Sequence, residues 1–96
     1  MLIPKQITFN KRTYEVQQPH SGDCRGVVDF SANTIKVFRR NSHALSYPKA
    51  MRSETFWHEL THAILEDMGH SQALDEKFVT EFSQRLDQAI RSAKFK

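Results

Sequence analysis

Trp57-His58-Glu59-Leu60-Thr61-His62-Ala63-Ile64-Leu65 is the stretch on which the reading of this chain turns. One acid and two imidazoles stand among otherwise uncharged side chains. That composition sets a helix into a core rather than along a surface. Residues four apart on a helix share a face, one turn above the other, so His58 and His62 can offer two ring nitrogens to one ion. Glu59 is turned about a quarter of the way round from His58. It can reach a water on that ion without occupying a coordination position. This is the spacing used in zinc-assisted peptide hydrolysis. A zinc ion lowers the pKa of its water from about 15.7 to roughly 7. Glu59 is then placed to take the proton and to return it to the leaving amine. A histidine pair buried without a partner or a metal is costly, which favours a metal site.

Working outward, Pro48 is suited to a first helical turn, and Ser46 is available as a cap. Met51, Thr55, Leu60, Ala63, Ile64 and Met68 recur at helical spacing up to Gly69, which can take the left-handed backbone that ends a helix. Gly69-His70-Ser71-Gln72 reads as a short connection. A last helix is expected from near Leu74, with Phe78, Val79, Phe82, Leu86, Ala89 and Ile90 as one apolar stripe, and fraying at Lys94-Phe95-Lys96. Upstream the period changes to two. Gln6 to Phe9 and Thr13 to Val16 form a hairpin about Asn10-Lys11-Arg12, and Gly26 to Phe30 pairs with Thr34 to Phe38. The expected class is α+β: a small antiparallel sheet, then the HExxH helix, then a second helix carrying a third ligand.

A catalytic zinc usually takes three protein ligands and keeps one position open. Downstream of the histidines the candidates are His70, Asp75, Glu76 and Glu81. His70 follows Gly69 so closely that the chain would have to fold straight back. Helical phase favours Asp75, whereas reach favours Glu76, which has one more methylene. Either acid could instead serve the helix dipole. Oxyanion donors could come from Tyr47, His43, His70 or Arg52, with nothing in the sequence to choose among them.

The chain has 96 residues and reads as a single domain over 1–96. It has no apolar run long enough for a membrane helix, and Met1-Leu2-Ile3-Pro4-Lys5-Gln6 does not read as a secretory signal. The lone Cys24 reads as a small packed residue and, with no internal disulfide to make, fits a reducing, cytoplasmic setting. The formal charge is +3, from 14 basic and 11 acidic residues. That excess is too small and too scattered to argue for nucleic acid, and it slightly favours an acidic partner.

These residues resemble the ImmA/IrrE type of zincin-like metallopeptidases, and are especially similar to the short versions encoded by phages and prophages. Gly26-Val27-Val28-Asp29 with Ile35-Lys36-Val37 looks like that family's glycine-and-acid turn leading into its edge strand. Trp57 to Leu65 looks like its metal helix. Asp75-Glu76-Lys77-Phe78-Val79, followed by Phe82 and Leu86, looks like the helix bearing its third ligand. The likeness covers roughly residues 26 to 90 and is specific in its HExxH part. It implies His58, His62 and Glu76 as zinc ligands, with Asp75 as the runner-up, and Glu59 as the catalytic residue. It further implies that the strand Thr34 to Phe38 takes a peptide as an added antiparallel strand.

The leading expectation is therefore a zinc metalloendopeptidase acting on a cytoplasmic protein or peptide. The alternative is a non-catalytic, zinc-containing protein that inhibits a host or regulatory partner. Glu59 counts against it, because a purely structural zinc has no use for an acid beside its first ligand. A nucleic-acid accessory role rests only on a pI near 9.2.

Overall fold

The computed structural model describes residues 3–95; Met1, Leu2 and Lys96, at the two ends read above, lie outside them. Strands β1 (Gln6–Phe9) and β2 (Arg12–Gln17) form the expected hairpin. Its turn is tighter than expected, with Asn10 and Lys11 both in the left-handed region at φ 50° and 62°. That is the backbone of the two-residue hairpin turn whose twist matches the strands it joins. Strands β3 (Gly26–Asp29) and β4 (Thr34–Val37) form a second antiparallel pair.

The two pairs merge into one four-stranded sheet of order β1-β2-β4-β3. The sheet is mixed, not purely antiparallel, because β2 and β4 run parallel with Val16 opposite Ile35. Burial explains the insertion of β4 between β2 and β3. Ile35 and Val37 are wholly buried and need neighbours on both sides, whereas Val27 and Asp29 of β3 are exposed. The sheet edge beside the HExxH helix is therefore β3, not the strand Thr34 to Phe38 to which the resemblance gave that role.

Helix α1 (Lys49–Asp67) lays Phe56, Leu60 and Ala63 on Tyr14, Val16, Ile35 and Val37 of the sheet. Pro48 occupies the N-cap position with no side-chain bond, so Ser46 does not cap; it pairs with Arg40 instead. At the other end Gly69 takes φ 65°, its N–H bonds to the Glu66 carbonyl, and the His70 N–H bonds to the Leu65 carbonyl. This is the Schellman closure expected of a glycine stop. Arg12 fastens the same end: its Nη1 lies 2.7 Å from Glu66, its Nε donates to Asn33 and its Nη2 to the Phe30 carbonyl.

Helix α2 (Glu76–Ser92) packs on α1, and its burial departs from the expected stripe. Val79, Ser83 and Asp87 are its buried residues, while Phe82 and Ile90 are 49% and 42% exposed. Among the described residues α2 packs chiefly on α1 and approaches it along a narrow seam. The seam admits the buried Asp87 carboxylate because Ser53 donates to it at 3.0 Å and Arg91 at 2.9 Å.

Gly26 sets the distance between sheet and helix. A Cβ there would lie 2.6 Å from the Thr55 methyl and 2.8 Å from the Lys36 carbonyl oxygen. We expect Gly26→Ala to lower stability by about 1–3 kcal/mol, as overpacking does, measured by urea unfolding. A midpoint equal to the parent's would show that β3 and α1 are not held at this spacing.

Candidate metal centre

Each functional side chain comes from an element already fixed by packing. His58 and His62 stand on the face of α1 toward α2, and their ring centroids are 4.9 Å apart. Glu76, the first residue of α2, closes on them from across the helical hairpin. Its Oε1 lies 2.8 Å from His62 Nε2 and its Oε2 lies 3.1 Å from His58 Nε2. All three ligand atoms lie within 4.8 Å of one another.

The hydrogen bonding at His62 decides what this cluster can hold. Its Nδ1 lies 2.6 Å from the carbonyl oxygen of Ala73, so that nitrogen carries the proton. The other ring nitrogen, Nε2, faces a carboxylate oxygen of Glu76. Burial, foremost, holds the pKa of His58 below its ordinary value, with the His62 charge acting the same way and Glu76 opposing. The two Nε2 atoms and the Glu76 carboxylate converge closely enough for one cation to join all three. The separations from Glu76 to the two rings fall within the roughly 4 Å that two zinc bonds of about 2.0–2.1 Å can span. The donor set suits zinc, and the Ala73 carbonyl supplies the outer contact that fixes a ligating histidine's tautomer.

Asp75, the runner-up, is committed elsewhere. It is the N-cap of α2, and its Oδ1 accepts the Phe78 N–H at 3.0 Å. Of the other two candidates, neither His70 nor Glu81 joins the cluster. His70 stacks on Phe78 at 6.4 Å and takes the Gln72 N–H on its Nδ1.

Glu59 is 8% exposed, on the sheet-facing side of the histidine pair. Burial pushes its carboxyl up to about 7, with His62 pulling down and Glu76 adding to the rise. A group near neutrality can both accept and return a proton.

Two hollows meet at this centre. One, of about 260 Å³, has Glu59, His62 and Glu76 on one wall and Val28, Phe30 and Leu74 on another. The other, of about 190 Å³, runs past His58 and is bounded by Arg25, Glu54, Thr80 and Gln84. Gly26 borders both. Of the four oxyanion candidates, Tyr47, His43, His70 and Arg52, none borders either hollow. Arg25 and the Ala73 carbonyl escaped the sequence reading. Nothing local marks Arg25, which borders the same hollow as His58 only because β3 packs on α1. A separate cleft of about 300 Å³ between the helices is lined by Trp57, Ile64, Phe78 and Phe82, and no ionisable group enters it.

The edge of β3 is open along the first hollow. The Phe38 N–H donates to the Arg25 carbonyl, so residues 25, 27 and 29 pair inward with β4. Gly26 and Val28 therefore turn their N–H and C=O groups outward. Cys24, expected to be packed, is exposed and donates to that outward Gly26 carbonyl at 3.3 Å. It lies in the polar bend with Asp23 and Arg25, just ahead of the packed strand.

Two measurements follow from this geometry. In zinc-supplemented protein, His58→Ala and Glu76→Ala should each lose the bound ion by elemental analysis. Asp75→Ala should keep the ion and lose about 1 kcal/mol of stability with its cap. Zinc retained in Glu76→Ala would remove Glu76 as a ligand. The second concerns Glu59 in metal-free protein. Its folded pKa lies above the usual carboxylate value of 4.5, so the native state holds a proton that the unfolded chain releases between pH 4.5 and about 7. The parent therefore loses stability as pH rises through that window. Glu59→Gln should be the more stable protein above pH 7, by up to about 3 kcal/mol, with the gap closing toward pH 4.5. A gap independent of pH would show that the carboxyl is not desolvated.

Comparison with protein-family models, with curated proteins and with solved structures finds no match for this chain.

Proposed function

We propose that the protein is a zinc-dependent metallopeptidase that hydrolyses a peptide bond in a polypeptide bound along β3. The observation that carries this reading is a buried Glu59 beside three converging side chains of ligand type, bordering a hollow with an open strand edge. His58, His62 and Glu76 would hold the ion. Zinc bound there supplies a Lewis acid that makes water acidic near neutral pH.

The chain's own residues do the rest. The outward N–H and C=O groups of Gly26 and Val28 hold the substrate as an added strand. Val28, Phe30 and Leu74 give its side chains an apolar wall. Glu59 accepts the proton of the attacking water and passes it to the departing amine nitrogen, so the C–N bond breaks without releasing a charged amide. A sheet edge above an HExxH helix is the arrangement of a minimal zincin-like domain. Exposed, unpaired Cys24 fits a cytoplasmic setting, and in the described residues no helix is long and apolar enough to cross a membrane.

A non-catalytic zinc protein would gain nothing from burying Glu59, whose ionisation in that site costs stability. The test is direct. Zinc-loaded protein is incubated with a complex mixture of denatured cytoplasmic polypeptides, and new amino termini are identified by mass spectrometry. We expect discrete cleavages that Glu59→Gln slows by about 10²–10⁴-fold while retaining the ion. Zinc bound at full occupancy with no new termini would sink the peptidase and leave the inhibitory binding protein.

A further inference from the structure

The basic residues that look scattered in the sequence are gathered by the fold. From Arg39 to Ser53 the chain carries four basic residues and no acidic one. The Phe38 N–H bonds to the Arg25 carbonyl, the Tyr47 N–H to the Arg39 carbonyl, and the Arg52 N–H to the Pro48 carbonyl. Arg40 bridges to both Ser21 and Ser46. Arg25, Arg39, Arg40, Lys49 and Arg52 therefore stand at one end of the molecule, where β4 finishes and α1 begins. None of the five makes an ion pair among the described residues. Asp29, Glu66, Asp67 and Asp75 stand at the other end, where β3 and α1 finish and α2 begins, while Asp23 and Glu54 are the acids near the cationic end. A field of one sign at one end steers and holds a partner of the other sign.

This end is continuous with the metal centre, because Arg25 borders the hollow that His58 borders. Lys49 precedes His58 by nine residues, or about 14 Å along the helix at 1.5 Å per residue. An extended chain covers that distance in about four residues. Direction follows from the sheet. Strand β3 runs from Gly26 to Asp29, away from the cationic end, so a strand added antiparallel to it runs toward that end.

We propose that the cationic end is a docking surface for an acidic polypeptide segment lying about four residues C-terminal to the bond over the metal centre. That the segment belongs to a substrate rests on the peptidase reading; the surface itself stands on charge and position. A polypeptide fits better than a nucleic acid. The cationic end is continuous with the open edge of β3, whose outward N–H and C=O groups pair with a polypeptide backbone and not with a phosphodiester one. Tyr47 is the one aromatic residue between Arg39 and Ser53, too little for a stacking platform.

The test uses the full chain, a fluorescein-labelled glutamate-rich peptide and, separately, a duplex DNA of similar net charge, read by fluorescence anisotropy. The peptide should bind, weaken steadily between about 50 and 200 mM salt, and lose about tenfold or more in the Arg39→Glu/Lys49→Glu double variant. Lys11→Glu/Lys77→Glu, the same charge change at the far end, should cost less than about threefold at the higher salt, where the field from that end is screened. Absence of peptide binding at low salt overturns the proposal, as does equal loss in the two double variants. DNA held more tightly than the peptide at about 150 mM salt overturns it in favour of a nucleic acid. Direction is tested with zinc-loaded protein. A hydroxamate about four residues before the acidic block should tighten binding more than one placed equally far after it, and the opposite order overturns the assigned direction. Because peptide binding is read without cleavage, a protein that docks the peptide yet yields no new amino termini fails as a peptidase while keeping this surface.

Discussion

The contact between β3 and α1 at Gly26 is the constraint on which the rest of this small structure depends. Only a residue without a side chain lets the strand backbone settle against the Thr55 methyl, with the Glu59 side chain just beyond it. That approach has two effects. It covers Glu59 on the sheet side and so removes water from its carboxyl. It also brings the unpaired edge of the sheet to the lip of the metal centre. Sheet, helix and acid are thus placed by one missing methyl group, and the hollow with Glu59 and His62 on its wall exists because the strand lies where it does.

The second organising force is electrostatic and works through deprivation. Glu59 is denied solvent, His58 is partly denied it, and His62 has its outer nitrogen tied to the Ala73 carbonyl. Each of these is unfavourable or neutral for a protein that holds no ion. A buried carboxyl raised to about 7 lowers stability at neutral pH. Local arrangements of this kind, unfavourable by themselves and held in place by well-packed surroundings, are what metal chemistry requires of its ligands.

Much of this could be read from residue order because it is local. The i, i+4 histidines, the glycine stop at residue 69 and the two strand pairs are governed by neighbours a few positions apart, and the structure has them where spacing puts them. The parallel pairing of β2 with β4 was not legible, since it depends on which strand can bury Ile35 and Val37 on both sides. The choice between Asp75 and Glu76 was half legible. An aspartate three residues before the Phe78 amide is a capping signal in its own right, and reading it as a cap would have freed Glu76 for the cluster. The stripe of α2 misled because period alone cannot say how wide a face its partner will cover. Val79 is buried where Phe82 and Ile90 are not. Arg25 carries no local mark at all; its position beside His58 is a product of tertiary packing.

The centre spans the hairpin between the helices: two ligands belong to α1, and the third opens α2 after a connection of residues 68–75. Among the described residues helix α2 is attached chiefly through its seam with α1. It can therefore open locally while the sheet and α1 stay packed. An ion bound to His58, His62 and Glu76 would join the two helices across that hairpin. By thermodynamic reciprocity, whatever factor docking of α2 adds to ion affinity, the ion returns to docking of α2. Occupancy of the centre and closure of the helical hairpin are in this sense a single equilibrium, so scarcity of the metal would be felt first as a loosened helix.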